Sequence, residues 1–253
     1  MKKIFSCSII LIIFHLLLSD IIIQDEMTKI FNVSRGENGS GYITVYNQSL
    51  QNTSVKITPA DYTYNAKNEG FFLEPGKFYR SNSNWIKAPN SMMIPAGRSV
   101  QIPFTFSVPN RNDVIGSYWS VLLIEEELNY NDIEPADFYI NYRYSIQIVH
   151  NIKGTGEIDV EFLDFNYMDD YMSITLKNTG SLWLETNLKI DIYDEVTNFL
   201  GSYTSEGDRV YPDLEQRIVI PCKQLKAGSY YAVIVADCGN NRIFGHQTTF
   251  WIR

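Results

Sequence analysis

The sequence is poor in the side chains that enzymes and metal sites use most. Its 253 residues include only three histidines and three cysteines. It contains no Gly-x-Ser-x-Gly elbow, no paired-histidine zinc motif and no glycine loop of the kind that cradles phosphate. We therefore predict that the protein is not an enzyme and that it uses no cofactor and no metal ion.

One histidine and one cysteine fall in an apolar leader, which leaves two of each. His150 and His246 are predicted at surface positions of strands. Cys222 and Cys238 end two successive strands, and the second strand would span about 30 Å. Because this distance exceeds the reach of a disulfide, both cysteines are predicted to be free thiols.

Basic residues are also scarce. The chain has 21 lysines and arginines against 29 aspartates and glutamates, which gives a net charge of −8. Nucleic acid is an improbable partner, because a protein needs a basic surface to neutralise phosphates.

The first residues have the pattern of an export signal. Lys2 and Lys3 precede the apolar run Ile9–Ser19, so residues 1–19 are predicted to be a signal peptide, with a possible extension to about residue 26. The protein is therefore expected to be exported, and to contact a membrane only if this leader stays uncleaved.

Helical patterns of ten or more residues are absent after the leader, whereas alternation with a period of two is frequent. It is clear in Val100–Val108 and in Phe138–Ile148 of the first half, and it recurs in the second half. The sequence predicts an all-β protein made of two tandem immunoglobulin-like β-sandwich domains. The expected boundaries are 28–150 for the first domain, 151–156 for a linker and 157–253 for the second domain.

Four motifs give the chain a resemblance to the PapD-like periplasmic chaperone superfamily. They are Trp85-Ile86 ahead of the turn Pro95-Ala96-Gly97, a strand ending in Val108-Pro109, the strand start Gly116-Ser117-Tyr118-Trp119, and the segment Leu225–Tyr230. The last motif also has the spacing of a tyrosine corner. The resemblance covers nearly the whole chain after the leader and implies the same fold.

The resemblance also implies a function, a binding strand and a location. It implies a bacterial chaperone of the periplasm or cell surface that binds secreted or fimbrial subunits through the last strand of domain one. The apolar positions implied for this strand are Phe138, Ile140, Tyr142, Tyr144, Ile146 and Ile148. By the same resemblance, Arg143 and Lys29 would hold the terminal carboxylate of the subunit.

A second interpretation stays open at this point. Tandem sandwiches of this kind also occur in structural or adhesive modules of the bacterial surface, which chaperone nothing. In that case Phe138–Ile148 would be an ordinary half-buried edge strand and Arg143 a solvated side chain.

Overall fold

The computed structural model describes residues 21–65, 67–127, 142–239 and 241–253. Residues 1–19, the predicted signal peptide, lie outside the described part. Phe138 and Ile140, two of the predicted binding positions, also lie outside it. The described part is almost all strand, with one short 3-10 turn at Ser83–Trp85. None of its helical residues forms a segment long and apolar enough to cross a membrane.

Domain one consists of two sheets that pack face to face. Its strands are β1 (Ile21–Ile23), β2 (Thr28–Val33), β3 (Asn38–Asn47), β4 (Thr53–Tyr64), β5 (Gly70–Leu73), β6 (Ile86–Lys87), β7 (Ser91–Ile94), β8 (Ser99–Ser107), β9 (Ser117–Glu126) and β10 (Arg143–Ile152). One sheet has the order β1-β3-β8-β6. The other has the order β2-β10-β9-β4-β5, with β7 also paired to β4.

Domain two is a smaller sandwich. Its strands are β11 (Val160–Met168), β12 (Tyr171–Asn178), β13 (Leu184–Asp194), β14 (Phe199–Val210), β15 (Glu215–Pro221), β16 (Gly228–Asp237) and β17 (Ile243–Ile252). The sheets have the orders β11-β12-β15 and β14-β13-β16-β17. The prediction of an all-β chain with two tandem immunoglobulin-like sandwiches is confirmed.

The alternating residues of each strand build the cores. In β8, Ile102, Phe104 and Phe106 are buried while the residues between them are exposed. Fully burying a side chain of this size contributes about 1.5–3 kcal/mol, so these residues account for much of the stability of domain one. The predicted tyrosine corner of domain two is also present, since the Tyr230 hydroxyl donates to the carbonyl of Lys226 at 2.7 Å.

Two segments near the predicted boundaries are strands. Residues 20–26 were named as an extension of the predicted signal peptide, but β1 lies within them, pairs with β3 and buries Ile21 in the core. At the other end of domain one, β10 extends to Ile152 and pairs there with Val33 of β2. The first two residues of the predicted linker thus continue the last strand of domain one.

An aromatic cluster joins the two domains. Trp119 and Tyr64 of domain one pack against Tyr211 of domain two, and all three are buried. Hydrogen bonds surround this cluster: the amide of Ser117 donates to the carbonyl of Ser181 at 2.8 Å, and the amide of Tyr211 donates to the Tyr64 hydroxyl at 3.2 Å. Burial raises the pKa of both tyrosines, so the contact stays uncharged at neutral pH.

Gly116 sets the close approach of the domains. It has a φ of +73°, and a Cβ placed on it would lie 2.0 Å from the carbonyl oxygen of Ser181. We expect Gly116→Ala to lower the free energy of unfolding by about 2–3 kcal/mol, because it adds a steric clash to an unfavourable backbone conformation. Urea denaturation measures this loss.

Gly154 provides the matched control for this prediction. It has a similar φ of +69°, but nothing lies within 4 Å of an added Cβ. Gly154→Ala should therefore cost only about 1 kcal/mol, the cost of the left-handed conformation alone. Equal losses for the two variants would show that the contact with Ser181 contributes nothing.

Candidate strand-binding edge and interdomain cleft

Strand β10 is covered along only half of its length. It pairs with β9 from Arg143 to Asn151, but its parallel partner β2 begins only opposite Gln147. Among the described residues, no strand lies beside residues 143–146 on the β2 side. We call this stretch of β10, residues 143–146, the open edge.

The direction of the backbone groups follows from the hydrogen bonds further along β10. The amides of Gln147 and Lys153 donate to β2 residues or their neighbours, whereas the amide of Ile152 donates to Gly116 beside β9. Backbone groups of alternate residues point to opposite sides of a strand. The N–H and C=O groups of Arg143 and Ser145 therefore point outward from the open edge, as a template for an added strand.

The predicted apolar residues of β10 have different surroundings. Ile146 and Ile148 are fully buried in the core of domain one, so they pack within their own domain and would not reach a partner. Tyr144 is half-buried, and its hydroxyl donates to the carbonyl of Ile21 at 2.8 Å. Tyr142 is 39% exposed, which makes it the described apolar position most accessible to a partner.

The structure does not bring Arg143 and Lys29 together. Lys29 lies beside Ile148, five residues along β10 from Arg143, which corresponds to about 16 Å. The odd-numbered position of Arg143 also faces the opposite side of the sheet. Each cation has its own carboxylate: Arg143 lies 2.7 Å from Glu125, and Lys29 lies 3.5 Å from Asp25. A joint carboxylate site for these two residues stays a prediction that this geometry does not favour.

An interdomain cleft lies where the open edge ends. It has a volume of about 430 Å³, and its lining residues are Tyr62, Tyr64, Asn68, Gln147, Gly207, Asp208, Arg209, Tyr211 and Gln216. Gln147 belongs both to this cleft and to β10 next to the open edge. A strand added at the open edge would therefore lead into the cleft.

Arg209 is the cationic side chain of this cleft. Its Nη1 donates to the Thr28 hydroxyl at 2.6 Å, at the start of β2, and its guanidinium lies 5.9 Å from the Trp183 ring. Its salt bridge to the half-exposed Glu185 is long, at 3.9 Å, and it is weak at that exposure. The neighbouring Asp208 is partly buried, and this burial raises the pKa of its carboxyl group.

Sequence reasoning did not find Arg209, because it comes from domain two and its contact with Thr28 joins residues 181 positions apart.

The prediction for His150 was wrong, since it was predicted at the surface and is fully buried. The signal for His150 was present in the sequence: it continues the inward series of Ile146 and Ile148 with a period of two. Cys222 is half-buried and Cys238 is buried, and both are free thiols.

Comparison with known proteins places this geometry in a known fold. A chain from a chaperone–tip adhesin complex of CFA/I fimbriae biogenesis has a TM-score of 0.53 and 16% identity, over 91% of this chain and 98% of the other. The class 5 fimbriae chaperone CfaA has a TM-score of 0.51 and 15% identity, over 90% and 98%. The YadV chaperone has a TM-score of 0.50 and 11% identity, over 91% and 100%.

These likenesses confirm the predicted resemblance to PapD-like fimbrial periplasmic chaperones at the level of the fold. No protein-family profile matches the chain, and no curated protein matches it at a significant level. Because a shared fold carries many functions, the function has to be argued from the open edge and the cleft.

Proposed function

We propose that this protein is an exported, non-enzymatic assembly chaperone that binds secreted or fimbrial subunits by strand addition at the open edge of β10. The observation that carries the proposal is the half-covered strand, in which the outward groups of Arg143 and Ser145 lack a neighbouring strand in the described part of the chain. The fold shared with fimbrial chaperones supports it. A location in the bacterial periplasm or at the cell surface belongs to the same proposal.

The geometry also favours one direction for the added strand. A subunit strand parallel to β10 would end where β2 begins, at Thr28 and the interdomain cleft. Its terminal carboxylate would then meet Arg209, whose planar guanidinium suits a carboxylate. In this arrangement Arg209 takes the role that the family resemblance implied for Arg143 and Lys29.

The strand-addition proposal is tested by removing one backbone donor. Ser145→Pro deletes an outward amide that makes no hydrogen bond to β9, so we expect subunit binding to weaken by about tenfold or more. Ser145→Ala keeps the amide and loses only the hydroxyl, and it should bind as the wild type does. The measurement is site-specific crosslinking to envelope subunits with quantification by mass spectrometry. Equal capture by both variants would contradict strand addition here.

Arg209→Glu tests the carboxylate contact separately. We expect it to weaken binding of a subunit peptide with a free C-terminal carboxylate by about tenfold, and to leave binding of the amidated peptide unchanged, since only the charge contact is lost. Arg111→Glu is the matched control, because Arg111 is exposed and pairs only with Asp113 on domain one. Isothermal titration of both peptides measures the difference, and an equal loss for both would exclude a carboxylate contact at Arg209.

The alternative, a structural or adhesive surface module, makes a different prediction for the same variants. In that case Ser145→Pro would leave retention at the cell surface unchanged, and no subunit would be exchanged at β10. The open edge favours the chaperone, since a purely structural sandwich gains nothing from an unpaired strand edge.

A further inference from the structure

The open side of domain two has two unpaired strand edges. Strand β17 pairs only with β16, and β11 pairs only with β12, so each is an edge within the described residues. Ring contacts show that the two edges lie side by side: Phe162 stacks on His246 at 5.3 Å, and Tyr167 stacks on Phe250 at 5.5 Å. Because the residue numbers rise together in these pairs, β11 and β17 run in the same direction.

Strand β17 lacks the usual protection of an edge. Its ten residues, Ile243–Ile252, include no charged residue and no proline, although such residues normally discourage edge pairing. The amide of Cys238 donates to the carbonyl of Arg242, so the backbone groups of even-numbered residues point to β16 and those of odd-numbered residues point outward from the edge. The side chains of Ile243 and Trp251 are also exposed, at 65% and 63%.

The charges at this side of the domain are divided between the two edges. Arg242 and Arg253 flank β17, and neither forms a salt bridge among the described residues. Arg253 rests on the Trp251 ring at 5.4 Å. Acidic residues follow β11 instead, namely Glu157, Asp159, Glu161, Asp164, Asp169 and Asp170.

We propose that this side of domain two forms a symmetric dimer, in which β17 of each copy pairs with β11 of the second copy. In this dimer the two-fold axis runs parallel to the strands. The rotation places β17 of one copy beside β11 of the other and leaves each residue at the same position along the strand direction. Both copies contribute the same two edges, which is the self-complementary contact of a two-fold dimer. The offset of the ring pairs then predicts the register. Arg253 lies level with the turn Asp169-Asp170 of the second copy, and Arg242 lies level with Ile158, between Glu157 and Asp159.

Charge selects this arrangement over its alternative. A two-fold axis perpendicular to the sheets would pair β17 with β17 in antiparallel orientation, and would place Arg242 of one copy beside Arg253 of the other. It would likewise face one acidic β11 with another. Like charges directly opposite each other destabilise paired strands. The inference concerns domain two alone and does not depend on strand addition at β10.

A charge-swap experiment tests the dimer. We expect the protein without residues 1–19 to sediment as a dimer. Arg242→Glu with Arg253→Glu, or Glu157→Lys with Asp169→Lys, should each weaken self-association by about tenfold or more. Mixing the two double variants should restore the dimer, since each reversed edge then meets its reversed counterpart. Arg111→Glu with Lys153→Glu, on domain one, carries the same charge change as the first variant and should remain dimeric.

Each other outcome overturns the proposal. A monomeric wild type across the concentration series would exclude the dimer. Unchanged association in both double variants would place the contact elsewhere. A mixture that stays monomeric, with circular dichroism showing both variants folded, would exclude the pairing of β17 with β11.

Discussion

Replacing Asp61 with alanine is expected to lower the free energy of unfolding by about 3–5 kcal/mol. Asp61 is fully buried in the last third of β4. Its carboxylate accepts hydrogen bonds from the amides of Gly76 and Phe78, at 3.1 and 2.7 Å, and from the hydroxyls of Ser81 and Ser83. Alanine would leave the amide of Phe78 without this acceptor, and would leave the amide of Gly76 and the two hydroxyls with only the contacts among themselves. Each buried donor left unsatisfied costs about 1–3 kcal/mol.

The loop held by Asp61 also reaches domain two. Tyr79 donates to Asp213 at 2.7 Å, and burial together with this hydrogen bond raises the pKa of Tyr79 to about 12.

Urea denaturation of Asp61→Ala measures the loss of stability. Asp113→Ala is the control, because Asp113 is exposed and forms only a surface ion pair, so its loss should stay within about 0.5 kcal/mol. A loss below about 1 kcal/mol for Asp61→Ala would contradict this description of the loop.

Acidification is expected to destabilise domain one through His150. Burial lowers the pKa of His150 to about 4, whereas an unfolded histidine has a pKa near 6.5. Between these values the unfolded chain binds more protons than the folded one, so stability falls as the pH drops from about 6.5 towards 4. The contribution amounts to about 3 kcal/mol, and it is fully present above pH 7.

The surroundings of His150 explain why it resists protonation. The amide nitrogen of Asn82 lies 3.0 Å from the carbonyl of Ile148 and 2.7 Å from Nδ1 of His150. Since this nitrogen is a donor, Nδ1 has to accept and the proton belongs on Nε2. A second proton on Nδ1 would face the amide hydrogens of Asn82. Phe31 and Phe106 contact the imidazole ring and supply no compensating charge.

His150→Phe isolates this effect, because phenylalanine fills the aromatic site and cannot titrate. The free energy of unfolding of both proteins is measured by urea denaturation from pH 4 to pH 8. The value of the wild type minus that of the variant should fall by about 3 kcal/mol between pH 7 and pH 4. The steeper fall belongs to the wild type. Parallel curves would mean that His150 is protonated equally in both states, and would contradict its burial.

The sequence pattern predicts local features of this fold well. The alternation at Val100–Val108 was predicted to be a strand, and β8 spans Ser99–Ser107 with every second residue buried from Ile102 to Phe106. The spacing of Leu225–Tyr230 was sufficient to predict the tyrosine corner, since its hydrogen bond joins residues only four positions apart. Alternation and turn residues are properties of a few neighbouring positions, so they can be read without knowledge of the topology.

The candidate site could not be predicted in the same way. The open edge depends on where β2 begins beside β10, and Thr28 and Gln147 are 119 positions apart. The alternation of β10 was visible, but it could not show that Ile146 and Ile148 face their own core. A period of two says which residues share a face, and only the sheet order says what that face meets.

Amide hydrogen exchange on the isolated protein tests the central claim most directly, because it compares neighbouring outward amides of one strand. Gln147 donates to the carbonyl of Met27, whereas Ser145 has no strand beside it in the described part of the chain. Residue-resolved NMR should find that the Ser145 amide exchanges at least about a hundredfold faster than that of Gln147, and that a bound subunit slows it. Equal protection of the two amides in the isolated protein would mean that the edge is already covered, and would contradict strand addition at β10.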